Sequence, residues 1–183
     1  MLALKRPLPR KRQLAITLGV TAVLLVGYIA LLNHEEHVME EYYHDLRHSD
    51  PDLYLSKIMQ AHGFRRYIDE YQKIHDYSQP KKDVPPFLLG RWALFENSKH
   101  VSDSYVPDAC LNGVEIEDGR IKFFGEKSDD IAVRYTLTGN MVTAHPANGA
   151  AIEIGVVGYG SHMHHIELKT PGNKKAEYGY MCR

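Results

Sequence analysis

Between Leu14 and Leu32 the chain reads LAITLGVTAVLLVGYIALL, nineteen residues without a charge. At about 1.5 Å of rise per residue a helix of this length spans roughly 28 Å, close to the hydrocarbon thickness of a bilayer. Its flanks differ sharply. The preceding MLALKRPLPRKR holds Lys5, Arg6, Arg10, Lys11 and Arg12 with no acid, and the run exits into NHEEH. A cleaved secretory signal is the competing reading, but its apolar region is shorter, about 7–15 residues, and ends at a small-x-small site. Neither that site nor a cysteine for lipid attachment follows Leu32. The pattern predicts an uncleaved transmembrane helix over 14–32. Residues 1–13 then form a basic tail that stays cytoplasmic by the positive-inside rule, and the chain from 34 to 183 lies outside. This corresponds to a single-pass protein of a bacterial inner membrane with a periplasmic C-terminal domain.

Over the whole chain, tail included, the charge is balanced, with 22 basic and 23 acidic residues and a formal net charge of −1. A balance of this kind gives no electrostatic footprint for nucleic acid. The two cysteines, Cys110 and Cys182, are not in a C-x-x-C arrangement. In an oxidising compartment an even pair reads as one disulfide, which would stabilise the fold by roughly 4 kcal/mol through loop closure. Two separate buried thiols are the alternative. A catalytic thiol has no activating motif to support it.

The exported part changes character near residue 80. Residues 33–78 read as a helical juxtamembrane segment. HEEHVMEEYYHDLRH contains no helix breaker, Ser49-Asp50-Pro51-Asp52 offers a helix start, and Gly63 offers a stop. In FRRYIDEYQKIHDY, residues Phe64, Tyr67, Ile68, Tyr71 and Ile74 line one helical stripe, which suits packing on a neighbour. Residues 79–86, with Pro80, Pro85 and Pro86, read as a linker. From 87 to 183 the apolar period becomes two. Eight strands are predicted, at about 88–95, 113–117, 120–125, 131–137, 141–145, 151–157, 162–169 and 176–182. Asp118-Gly119 and Gly139-Asn140 mark tight turns between them. Mostly short connections and no long intervening helix predict an antiparallel meander closing into an eight-stranded barrel, with a β-sandwich as the alternative. The fold class is α+β: a transmembrane helix and helical stalk followed by this barrel.

Leu89-Gly90-Arg91-Trp92 opens the first of these strands with a Gly-x-Trp pattern, and Tyr135-x-Leu137-x-Gly139-Asn140 and Tyr178…Arg183 follow in order. Over residues 87–183 this resembles the lipocalin-like (calycin) β-barrels. The resemblance implies that Gly90, Trp92 and Arg183 close the barrel bottom, the arginine of the last strand packing across the tryptophan by cation–π attraction. It also implies a lumen for a small apolar ligand.

Chemistry is sparse by contrast. There is no G-x-S-x-G, no phosphate-binding loop and no H-E-x-x-H, since the histidines of His34-Glu-Glu-His37 are three apart. Glu41-Tyr-Tyr-His44 is half of a carboxylate metal motif whose second half is missing. GVVGYG, residues 155–160, reads as a loop or bulge, and Asp129-Asp130 as solvated turn residues. What stands out is histidine, eleven in all. His37, Glu41, His44 and His48 fall on one helical stripe. His162, His164 and His165 sit within four residues of a predicted strand. Alternation then puts His162 and His164 with Ile166 and Leu168 on the inner face, and His165 outside with Glu167. His145, ending an earlier strand, is a candidate third partner for His162 and His164 in metal binding or a pH response. Hydrogen-bonded rim histidines are the plainer alternative. No cofactor is specified. The sequence therefore predicts a binding, sensory or accessory role for a membrane-anchored barrel with a small apolar ligand or an envelope protein partner. A plugged barrel serving as a structural subunit is the second reading, and an enzyme the third.

Overall fold

The computed structural model describes residues 10–96, 110–125, 128–173 and 175–182, with side chains from residue 17 onward. Three helices precede eight strands: α1 (Arg10–Ser49), α2 (Pro51–His62), α3 (Phe64–His75), β1 (Gly90–Phe95), β2 (Gly113–Glu117), β3 (Arg120–Phe124), β4 (Asp129–Thr138), β5 (Met141–Pro146), β6 (Ile152–Tyr159), β7 (His162–Lys169) and β8 (Glu177–Met181). The chain divides between Asp50 and Pro51 into two compact units.

The first unit is α1, a single helix of 40 residues. At 1.5 Å per residue it is about 60 Å long, twice a hydrocarbon core. No glycine pair or proline interrupts it where the apolar run gives way to HEEHVMEEYYHDLRHS, so the apolar and polar stretches form one continuous helix. Its apolar side chains, among them Val23, Leu24 and Val26, are exposed. Among the described residues it is the one helix long and apolar enough to cross a membrane, with a mean hydropathy of 1.6 in an 18-residue window.

The second unit holds α2, α3 and a closed barrel in which β1 to β8 pair in chain order and β8 returns to β1. All eight predicted strands are present, each within two residues of expectation at most ends. Period-two alternation explains why. Val114 and Ile116, Ile121, Val133, Tyr135 and Leu137, Val142 and Ala144, Ile152 and Ile154, and Ile166 and Leu168 are the buried positions of their strands. Facing inward, they exclude water and make the core. The closing register pairs Trp92 with Met181 and Ala93 with Tyr180, which settles barrel over sandwich.

One barrel end is capped by the rest of the unit. It is the end where β1 begins and where the β2–β3, β4–β5 and β6–β7 turns gather. The Phe64 amide donates to Gly160 O at 2.7 Å, the Gly139 amide to Gln72 Oε1 at 3.0 Å, and the Leu137 amide to Tyr77 O at 3.2 Å. The Phe64 ring occupies the place a Cβ on Gly158 would take, so that glycine is what lets α3 approach β6. The aromatic stripe of α3 packs around Phe87, with ring centroids of Phe64, Tyr67 and Tyr71 5.7–6.1 Å from it. The proline-rich residues 79–86 are bonded along the same end. Lys81 and Tyr135 exchange backbone bonds of 2.9 and 2.6 Å, the Gly119 amide donates to Lys82 O, and the Val84 amide donates to Asp118 Oδ1. Between the two short helices, Glu70 is buried yet bonded by Tyr54 Oη at 3.1 Å and Lys73 Nζ at 2.8 Å, with Arg66 at 3.3 Å. Burial pushes its carboxyl up, but these donors and cations more than offset it and hold it below the usual range.

Candidate functional site

Strand β7 carries the histidine cluster, and its register with β6 determines where the rings go. Ile166 lies opposite Val156 and His165 opposite Val157, but Gly158 pairs with Met163. His164 is therefore an extra residue, a β-bulge facing a glycine-containing stretch of β6. Ile166 and Leu168 are inward and fully buried. Counting back from them, His165 is on the outer side. The bulge then breaks the alternation, so His164 does not turn into the lumen.

The expectation that His162 and His164 project inward is corrected accordingly. His162 pairs with Tyr159 and both are exposed. His164 is half-buried, its ring 5.2 Å from Tyr159 and 6.0 Å from Tyr180. His165 is on the predicted side, beside Glu167, but it does not face solvent: it is only 4% exposed. The rings of Tyr180 and Tyr178 lie 5.7 and 5.9 Å away. Nor does His145 join the cluster. It lies near the far end of β5, on the side opposite the inward Ala144, and its Nε2 is 2.8 Å from Thr136 Oγ1. A site built from His145, His162 and His164 is not assembled.

What the bulge assembles instead is a neighbouring pair. His164 Nδ1 and His165 Nδ1 are 2.7 Å apart, and His165 Nε2 is 3.9 Å from Glu167 Oε1. Burial is the main influence pushing the His165 imidazole below its ordinary pKa; His164 adds to it, and Glu167 opposes it. The sequence signal for this pair was GVVGYG opposite HMHH: a glycine in one strand facing one surplus residue in its partner. Among the described residues no three His, Cys, Asp or Glu side chains group as a metal cluster.

The other marked residues fall at the closed end and along β1. Trp92 is inward, 1% exposed, and its Nε1 donates to Leu88 O at 2.9 Å. Gly90 starts the strand at φ 130°, a conformation that disfavours a side chain. Arg183, expected to pack across Trp92, lies outside the described residues. The cation–π contact seen on this side of the barrel is between Arg91 and Phe124, at 4.4 Å. Cys110 and Cys182 stand at disulfide distance, with Cα atoms 6.1 Å apart. Cys110 precedes β2 and Cys182 follows β8, so the link joins the two strands that flank β1. On α1 the stripe forms as expected, with His37 Nε2 3.4 Å from Glu41 Oε1 and the His44 and His48 rings 4.7 Å apart.

At the barrel end away from α3 there is an open cleft of about 450 Å³. Leu94, Phe123 and Phe124 give it an apolar wall, and Asp129 and Glu177 an acidic one. Between α3 and β6 a smaller cleft of about 330 Å³ runs beside Phe64, Ile68 and Val156.

Fold and site together define a class: a closed eight-stranded antiparallel barrel with helices at one end, in a chain that also carries a candidate membrane helix. No family model, no curated protein and no solved structure matches the chain.

Proposed function

We propose that this protein is a membrane-anchored accessory subunit of an envelope complex, with its barrel acting as a packed, exported scaffold that binds a protein partner. The observation that carries the reading is the filled interior. Trp92, Ile116, Ile121, Tyr135, Leu137, Ile154, Ile166 and Leu168 are inward with at most 2% exposure. The polar atoms that a ligand would otherwise meet already have protein partners. Trp92 Nε1 donates to Leu88 O, and Tyr135 Oη lies 2.8 Å from both Glu117 O and Arg120 O. An interior satisfied in this way leaves a ligand little to displace.

The lipocalin-like resemblance favours a second reading, a small apolar ligand, and the cleft beside Leu94, Phe123 and Phe124 is where it would sit. In both readings α1 is an uncleaved anchor in a bacterial inner membrane, with its basic end cytoplasmic and the barrel in the periplasm. The cysteine pair supports an oxidising location.

The test is extraction of the protein from native membranes in mild detergent, with light scattering and lipid analysis on the same sample. The expected result is a complex larger than one chain with no lipid at one per barrel. A monomer carrying one equivalent of lipid refutes the scaffold reading in favour of the ligand one. A reporter active only outside the cytoplasm, fused after Arg183, should be active and stay with the membranes after alkaline washing. Release of a shortened soluble form overturns the anchor.

A further inference from the structure

The histidine stripe of α1 serves neither functional reading, and its geometry supports a specific chemistry. His44 and His48 stand one helical turn apart, at i and i+4, the spacing that sets two imidazoles over one patch of a helix surface. Their ring centres are 4.7 Å apart. The oxygens around them fix which nitrogens are spare. His48 Nδ1 lies 2.8 Å from the His44 carbonyl oxygen, which can only accept. Nδ1 therefore carries the hydrogen, and the lone pair of neutral His48 is on Nε2. His44 Nδ1 lies 3.7 Å from Asp45 Oδ1, an acceptor-only carboxylate that favours the same tautomer. Each ring keeps Nε2 as a donor to metal while an oxygen attends Nδ1, the arrangement that ligating histidines share.

We propose that His44 and His48 chelate one divalent transition-metal ion of the Cu(II), Ni(II) and Zn(II) class through their two Nε2 atoms, with water in the remaining positions. The donor atoms set the class of metal: imidazole suits these ions, whereas Ca(II) and Mg(II) take oxygen. The ring separation bears on reach alone. Two imidazoles with nitrogens about 2.0–2.1 Å from one ion have centres roughly 4.5–5 Å apart, so little movement brings both rings onto it. Among the described residues no third His, Cys, Asp or Glu completes a cluster. Glu41, the nearest candidate on the stripe, pairs with His37 at 3.4 Å.

Approach to the pair is open. The His44 side chain is 74% exposed, and His48 is exposed as well. An incoming cation also meets a favourable field, because between Asn33 and Ser49 the helix carries Glu35, Glu36, Glu40, Glu41 and Asp45 against Arg47 alone. Bound there, the ion bridges successive turns and braces the polar half of α1. The site lies wholly within the first unit and stands whichever functional reading holds.

The experiment uses the full chain in detergent micelles. Copper(II) is titrated against glycine as a competing chelator and followed by electron paramagnetic resonance. The expected result is one tight Cu(II) per chain with hyperfine splitting from two nitrogens, displaced by excess Zn(II) and not by excess Mg(II). His44→Gln and His48→Gln should each weaken the affinity at least about tenfold, because a chelate loses its second arm with either. The double variant should lose little more. His48→Gln combined with Ser49→His keeps eleven histidines in the chain but moves the pair to i and i+5, off a common face, and should not restore binding. All these positions are exposed, and far-ultraviolet dichroism confirms that the helix stands in each variant. Affinity within about twofold of the parent in either folded single variant, or full restoration by Ser49→His, would mean adventitious copper binding and overturn the proposal. One ion per two chains would assign the metal to histidines of two copies and overturn the single-helix chelate.

Discussion

Replacing Phe64 with alanine should destabilise the barrel from a helix that contributes no strand to it. Phe64 is 3% exposed, sits over Gly158 and contacts the rings of Tyr67 and Phe87. A fully enclosed Phe→Ala cavity costs about 3–5 kcal/mol. Here the adjoining cleft beside Ile68 and Val156 lets neighbours relax and water enter, which places the loss at the lower end, about 3 kcal/mol. For a chain of this size that lowers the thermal midpoint by about 6–12 °C. The chain carries a single tryptophan, Trp92, and it is inside the barrel. Its fluorescence therefore reports the barrel alone, while far-ultraviolet dichroism is dominated by the helices. Both signals should shift together in Phe64→Ala. A shift in the helical signal with an unchanged Trp92 transition would show that α3 rests on the barrel without supporting it, and the reasoning would fail.

Two further outcomes follow from the same packing. Opening the Cys110–Cys182 link by Cys182→Ser removes a closure of 72 residues and should cost about 4 kcal/mol. The native protein should also migrate as a compact monomer that shifts on reduction, whereas two freely alkylated thiols in the native protein would contradict the pairing. The buried His75 Nε2 has no hydrogen-bond partner among the described residues, and burial is the main influence lowering its pKa; Lys81 adds to this and Asp52 opposes it. A lowered histidine takes up its proton more readily in the unfolded chain, so stability should fall as pH drops from about 7 through the unfolded value near 6.5, by no more than about 1.4 kcal/mol per pH unit. His75→Leu should flatten the difference between denaturation midpoints at pH 7.5 and 5.5, and an undiminished difference would refute the assignment.

The barrel was legible because its signals are local. Alternation in IAVRYTL and the Asp118-Gly119 and Gly139-Asn140 turns each occupy a few residues, and the closed meander follows from short connections. The long helix was legible for a similar reason, since nothing between Leu32 and Ser49 breaks it. The histidine site was not, because one surplus residue leaves composition and average period untouched while reversing the faces of everything before it. His162 and His164 were placed inside on the assumption of an unbroken strand, and the partner glycine Gly158 was the clue to the bulge. His145 was a different matter: the inward Val142 and Ala144 in its own strand already put it on the other side. The proline-rich 79–86 looked like a tether because its bonds, to Asp118, Gly119 and Tyr135, are long-range and have no local signature.

Closure through β1 and β8 has a consequence for how the chain matures. Trp92 finds Met181 only once β8 has been made, so the ring cannot close on a chain that stops short of that strand. Until then β1 is an unpaired edge, open to other strands, and the finished ring offers none. Any protein that binds the closed ring must therefore read side chains and turns, because strand addition is not open to it.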